Sequence, residues 1–453
     1  MNREEFIQKL FAKAREAGFQ DCEACYAAGS DFSCEVFKGE VISYSSADSM
    51  GLGFRGLFHG KMGYASTQVL DEDAIDFLVE GAKTNAQLIE SEDEEFLYPG
   101  SGEYAQVETY HPALEKVTAA EKLELCRRME QLTLGMSDKV PQVEGCEIMS
   151  EMHETAIVNT RGLNVSGKGN LLGAYVAPLA KDGDKVNSGY KFAFTQDVSA
   201  LDVESLVQNA VREAVDGLNA VSAPSGDTPV CIRGDAMADL LSTFSGVFSA
   251  KNAQKDLSLL KGREGEVIAA ECVTILDDPH MPHMAASAAF DGEGVATRVK
   301  KVVDGGKLTT LLHNLKTAKR QGVETTGNAS RPSYSSSVGV APTNFYVQPS
   351  ETAPQTLFQE MGDGLLITSV QGLHAGANAI SGDFSLAAKG YFVREGKVSG
   401  AANGITIAGN FFDLLKNITA VANDLTFTPP SSSTFGSPTV WVSSLAVAGS
   451  ADA

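Results

Sequence analysis

The stretch from Cys22 to Thr67 reads CEACYAAGSDFSCEVFKGEVISYSSADSMGLGFRGLFHGKMGYAST, and it decides between two fold classes. Within it, Gly51-Leu-Gly-Phe-Arg-Gly56 matches the GxGxxG pattern of dinucleotide-binding loops. That pattern works only where a strand leads in and a helix leads out, so that the helix N-terminus meets the pyrophosphate. Here LFHGKMGYAST follows, with two more glycines and strand-forming residues. The six residues are therefore expected in a β-hairpin rather than a nucleotide site. The runs CEACYA, SCEVFKG, VISYSS, GLGFRG and KMGYAST are predicted as short strands, with Gly, Asp and Ser between them as turns of an antiparallel meander.

Helices flank this meander without a regular βαβ alternation. Asn2 is placed to cap the first, Glu5 holds the capping-box position, Phe6, Leu10 and Ala14 form its stripe, and Gly18 ends it. A second is predicted from Asp71 to Leu88, followed by Glu90-Ser-Glu-Asp-Glu-Glu95 as a solvated connector. The capping box Thr118-Ala-Ala-Glu121 opens a third, through Leu132. Two strand-like segments, EGCEIMSEMHETAIVNT and LNVSGKGNLLGAYVAPLA, meet at the turn Asn159-Thr-Arg-Gly162. A helix from Asp202 to Leu218 carries Val207, Val211 and Val215 on one face.

The Pro/Gly/Ser-rich segment Asn219–Pro229 is the expected main domain boundary. Beyond it the pattern gives one helix from Asp235 to Lys251, many short strands with Gly turns, and a last helix near Phe411–Leu415. The class is α+β: an N-terminal mixed region with antiparallel strands and a C-terminal, largely β domain with a few helices. The expected units are 1–100, 101–222 and 223–453.

A formal charge of −22 over 453 residues opposes binding to nucleic acid backbones and to anionic membrane surfaces. The N-terminus is charged throughout and no apolar run has the length of a membrane span, which points to a cytoplasmic protein. The seven cysteines are odd in number and irregular in spacing, as in a reduced thiol set. Cys22-x-x-Cys25 with Cys34 lacks the fourth ligand of a closed zinc site.

Few residues carry chemistry. No glycine-lysine pair is followed by Ser or Thr, and no GxSxG elbow occurs. Asp277-Asp-Pro-His-Met-Pro-His283 holds two acids and two histidines, but its prolines make a turn and not a helix that could set ligand geometry. His153-Glu154 begins a zincin-like pattern that no later histidine completes, and His59, His111 and His313 stand alone.

Several blocks fall together in order. They are VETTGNASRPSYSSSVGVAPTNFYVQPS (323–350), GLHAGANAISGDFSLAAKGY (372–391), GYFVREGKVSG (390–400), ITIAGNFFDLLKNI (405–418) and VANDL (421–425), with NTRGL in the first half. In sequence and spacing they resemble the TldD/PmbA family, over nearly the whole chain and most closely from about residue 230. That family has two branches whose members are thought to pair. One resembles a zinc metallopeptidase, with HExxxH on a helix and a later cysteine as third ligand. The other, called PmbA or TldE, lacks these ligands.

The resemblance places that helix at Leu240–Phe248, with Ser242 and Thr243 at the His-Glu positions and Val247 at the second His. Neutral hydroxyls are poor zinc ligands and valine is none. No cysteine follows Cys272, and Thr-Phe-Thr-Pro-Pro-Ser-Ser-Ser stands after Asn423-Asp-Leu425. The resemblance thus implies a PmbA-like chain with no metal of its own. Zinc is expected only in a TldD-like HExxxH partner, and the substrate would be an unfolded peptide. His374, Asn378 and Asp383 are the substrate- or partner-facing candidates, in a strand-turn-strand whose Asn and Asp also suit tight turns. Two other readings stand beside it: an autonomous hydrolase built on Asp277, Asp278, His280 and His283, and a non-enzymatic homodimeric binding protein.

Overall fold

A computed structural model describes residues 1–90 and 93–449. The N-terminal half is built on one long antiparallel sheet. Its strands are β1 (Cys22–Phe37), β2 (Glu40–Phe58), β3 (Lys61–Thr67), β4 (Gln142–Asn159), β5 (Asn164–Asp182), β6 (Lys185–Ser188) and β7 (Lys191–Thr195). Their order is β3-β2-β1-β4-β5-β6, with β7 also on β5. Segments 1–100 and 101–222 therefore share a single sheet.

The five short strands expected at the N-terminus are three, two of them 16 and 19 residues long. Gly29, Ser30 and Asp31, expected in a turn, lie inside β1. They stay extended because β2 and β4 pair with them from both sides. The GxGxxG glycines lie wholly within β2, as expected of a hairpin.

Four helices cover one face of this sheet. α1 (Arg3–Glu16) and α2 (Glu72–Gln87) bury Phe6, Leu10 and Leu78 against Leu52 and Phe54. α3 (Ala119–Gly135) and α4 (Val203–Asp216) bury Met129 and Val207 against Cys34, Ile148 and Val176. Their starts follow local chemistry: Asn2, Asp71 and Asp202 accept from backbone N–H groups three residues on, and Thr118–Glu121 forms the full capping box. Each such cap stabilises by about 1 kcal/mol.

The C-terminal domain begins with β8 (Gly226–Ile232), so the tail of the expected linker is already strand. Two six-stranded sheets share one core with the helix α5 (Gly234–Phe244). The helix expected to reach Lys251 stops at Phe244 and continues as a 3-10 turn, Ser245–Phe248, and a short helix, Ala250–Ala253. Two side chains compete with the backbone there. Ser245 Oγ donates to Ser242 O at 2.8 Å, and Asn252 Nδ2 donates to Gly246 O at 2.9 Å. The break lets Phe244, Val247 and Phe248 all be fully buried.

The acidic stretch before residue 96 is more than a solvated connector. Ser91 and Glu92 lie outside the described residues, but Asp93, Glu94 and Glu95 grip the helix Leu315–Gln321. Lys316 Nζ lies 2.6 Å from Glu95 and 3.2 Å from Asp93, Lys319 pairs with Glu94 at 2.5 Å, and Arg320 with Asp93. The basic partners lie more than 200 positions away in the chain, out of reach of any local pattern.

The other face of the long sheet meets the C-terminal domain. Glu23 is fully buried there, accepting from Arg55 Nε at 2.7 Å, Arg55 Nη2 at 3.1 Å and Arg331 Nη2 at 2.9 Å. Burial alone would push the Glu23 carboxyl up, yet the two guanidiniums hold it below its usual range. Arg55 also lies 3.7 Å from Glu293, whose Oε2 accepts from Leu315 N at 2.9 Å. Gly51 and Gly53 let Tyr334 approach this face. A Cβ on Gly53 would stand 1.8 Å from the Tyr334 carbonyl oxygen, and one on Gly51 2.2 Å from its ring.

Replacing Glu23 by Gln leaves two buried guanidiniums short of their counter-charge, and the expected loss is about 3–5 kcal/mol in urea unfolding. A loss under about 1 kcal/mol would show that Glu23 does not hold the two halves together.

Candidate functional site

Two large cavities lie between the long sheet and the C-terminal domain. The larger, about 1010 Å³, is lined by His153, Ile157 and Gly167 on the sheet side and by Phe290, Asn328 and Arg331 opposite. The smaller, about 770 Å³, is bounded by α5. Ser242, Thr243 and Val247 do not line it, but Asp235 and Asp239, earlier on the same helix, do, as do Thr426, Thr428 and Pro429 of the segment after Asn423-Asp-Leu425, so it is the candidate site.

The helix turns its more open face, Asp235, Asp239, Ser242 and Thr243, away from the core, while Leu240, Leu241 and Phe244 are fully buried. At its start, Arg233 makes a fork to Asp235 at 2.8 and 2.5 Å and reaches Glu213 of α4 at 2.8 Å. Lys191 of β7 completes this set, 2.7 Å from Glu213. Asp235, Glu213, Arg233 and Lys191 thus neutralise one another across the domain boundary.

Asp239 is different. No described group donates a hydrogen bond to its carboxylate, and burial, with Asp235 one turn away, pushes its carboxyl up to about 6. Thr426, Thr428 and Pro429 line the same cavity. They belong to the segment after Asn423-Asp-Leu425, which the resemblance puts beside the helix.

The three motif positions do not converge. Thr243 Oγ1 folds back to donate to Asp239 O at 2.8 Å. The backbone carbonyl of Ser242 takes the Ser245 hydroxyl that ends the helix. Val247 lies in the 3-10 turn with its side chain fully buried in the apolar core. Neutral hydroxyls, one of them already engaged, and a buried valine do not fit a zinc ion. Among the described residues, no three His, Cys, Asp or Glu side chains come together in a metal-holding group.

The acid-histidine cluster is dispersed. Asp277 is fully buried and takes Lys300 Nζ at 2.8 Å, Asn328 Nδ2 at 2.7 Å and the Thr343 N–H and hydroxyl at 2.7 and 2.8 Å. Asp278 receives the His280 N–H at 2.9 Å. His280 meets Thr297 at 3.1 Å, and His283 meets Gln196 at 3.0 Å. His374, Asn378 and Asp383 are exposed on a turn that lines neither large cavity. A short helix, Leu373–Gly376, stands inside the expected strand-turn-strand. Asn378 Oδ1 accepts from Ile380 N and Ser381 N, and Asp383 accepts from Ser381 Oγ and Asn410 Nδ2.

Sequence reasoning missed Arg233, Asp235, Asp239, Glu213 and Lys191. The spacing of Asp235, Asp239 and Ser242 along one helix face was visible, but the partners come from α4 and β7. Because the Asp239 pKa is raised, its cost to folding grows between about pH 4 and 6 and is full above 6. Asp239→Asn is therefore expected to stabilise the protein at pH 7.5 by on the order of 1 kcal/mol, after solvent screening, and not at pH 3.5. Urea unfolding at the two pH values tests this, and equal effects at both would refute it.

Family models described as PmbA/TldA metallopeptidase domain 1, central domain and C-terminal domain match residues 22–86, 112–218 and 225–449. An uncharacterised protein of Methanocaldococcus jannaschii is 28% identical over 90% of this chain and 93% of its own. A metalloprotease PmbA homolog of Haemophilus influenzae is 27% identical over 88% and 86%. Among solved structures, a Thermotoga maritima protein described as a modulator of DNA gyrase superposes with a TM-score of 0.91 at 34% identity, covering 99% of this chain and 100% of that one. TldE from Thermococcus kodakarensis shares the fold, with a TM-score of 0.90 at 24% identity over 98% and 100%. With all three domain models in order along the chain and relatives matched end to end, the protein belongs to the PmbA/TldD metallopeptidase family.

Proposed function

We propose that this chain is the PmbA-like, metal-free subunit of a cytosolic peptidase complex. It docks onto a TldD-like HExxxH paralogue that carries the zinc, and together they enclose a chamber admitting unfolded peptides. One observation carries the reading. α5 borders a 770 Å³ cavity through Asp235 and Asp239, with the segment after Asn423-Asp-Leu425 beside it, yet Ser242, Thr243 and Val247 offer no ligand set. The names of the Haemophilus influenzae and Escherichia coli relatives, metalloprotease PmbA homolog and metalloprotease PmbA, support a role in proteolysis.

In this reading the chain shapes the chamber and performs no bond cleavage. The Arg233–Asp235–Glu213–Lys191 set fixes one wall, because each charge is held by at least one opposite charge from another element. His374, exposed on a turn that Asn378 and Asp383 brace, faces the partner or its peptide. The homodimeric reading keeps its place as an outcome of the test.

Co-expression with the HExxxH paralogue of the same genome is expected to give a complex that cleaves an unstructured peptide, with cleavage abolished by a chelator. Each chain alone is expected to be at least a hundredfold slower. Cleavage by this chain alone, or a stable homodimer that ignores the paralogue, would refute the subunit role.

A further inference from the structure

Among the described residues, half of β2 has no strand neighbour on its outer side. β3 pairs only with Leu52–Phe58, while β2 begins at Glu40. Residues 41–50 are thus an open sheet edge about 33 Å long. Leu57 exchanges backbone bonds with Gln20 and Asp21 on the β1 side. By alternation, Tyr44, Ser46, Asp48 and Met50 aim their N–H and C=O groups outward. Edges of this length are normally blunted by Pro, Lys, a bulge or a covering element. VISYSSADSM contains no Pro and no Lys, its one charge is Asp48, and its one bulge, at Ile42 where Glu35 pairs with Ser43 and Val36 with Val41, sits at the end next to the β1–β2 turn and leaves 43–50 regular.

The two faces beside this edge differ. Ile42 and Tyr44 are 57% and 54% exposed, on the face that α3 covers farther in. On the other face Ser43, Ser45, Ala47 and Ser49 are small, and they leave Asp31 and Glu35 of β1 open from the edge side. Glu147 and Glu151 of β4 continue this acidic face. None of these four carboxylates is ion-paired among the described residues. Burial, and then the nearby Glu35, raise the Glu147 pKa, as expected of acids without counter-charges.

We propose that residues 41–50 accept an extended peptide as an added strand, and that the peptide preferred has basic side chains alternating with apolar ones. An added strand satisfies the outward backbone groups of Tyr44, Ser46, Asp48 and Met50. Its side chains alternate between faces. One set packs on Ile42 and Tyr44. The other crosses the small serines toward Asp31 and Glu35, two strands in, about 10 Å away and within range of lysine or arginine. A second copy of this chain is a poorer occupant, because both copies carry −22. The inference requires only this chain, so it stands or falls independently of any metal-bearing partner.

The test uses the full chain and a fluorescent ten-residue peptide of alternating Lys and Val, read by anisotropy. Alternating Glu and Val, and five Lys followed by five Val, are both expected to bind at least tenfold more weakly. Ser46→Pro removes one outward N–H at an edge position that tolerates proline. It is expected to weaken the Lys/Val peptide at least tenfold with thermal unfolding unchanged. The double variant Asp31→Asn, Glu35→Gln keeps the backbone edge and is expected to erase the preference for Lys over Glu, so the proposal stays testable should Ser46→Pro misfold. No binding by the native chain, equal binding by a folded Ser46→Pro variant, or a native dimer that this substitution splits without any peptide would each overturn the proposal.

Discussion

The buried contact of Glu23 with Arg55 and Arg331 is the constraint on which the rest of this structure depends. Glu23 and Arg55 come from adjacent strands of the long sheet, and Arg331 comes from the C-terminal domain. All three side chains are almost wholly removed from water. Buried ions are tolerated only when paired and hydrogen-bonded, so the two halves of the chain are admissible in one relative placement. Burial raises the carboxyls of nearby Asp291 and Glu293, and the Glu293 charge pushes Asp291 up further.

The cavities follow from this docking. The long sheet gives one face to four helices and the other to the C-terminal domain. Where the opposed surfaces do not fill the space between them, the two large cavities remain. The smaller is framed by α4, β7 and α5, and a small set of charges closes that frame. Its distinctive group is Asp239, a carboxylate held near an apolar core with no described donor. On α5 the Thr243 hydroxyl serves backbone bonding, while Leu240, Leu241 and Phe244 serve packing.

Helix starts were legible in the sequence because capping is local: Asn2, Asp71, Thr118 and Asp202 act within three or four residues of themselves. Strand length was not. Gly29-Ser-Asp31 has turn composition, and only pairing from both sides keeps it straight. The expected helix to Lys251 failed because Ser245 and Asn252 compete for carbonyls that an apolar stripe does not reveal. Of the site, family resemblance pointed to the helix but not to the side chains on the cavity, since Asp235 and Asp239 line it and Ser242, Thr243 and Val247 do not. The charged frame was not, since Arg233 and Asp235 meet Glu213 and Lys191 only in the folded chain.

The sequence by itself determined the starts of helices α1 to α4, the absence of a dinucleotide loop, the family, and an α5 that carries no His or Cys. Each depends on residue type and short spacing, which a linear chain records. Tertiary structure decided that GxGxxG lies within β2 under Tyr334, that Asp93–Glu95 clasp a helix more than 200 residues away, that Asp277 is a buried hydrogen-bond hub, and that β2 keeps an open edge. These depend on which distant groups desolvate one another. Charge pairing, burial and strand neighbours arise only when the chain has closed on itself.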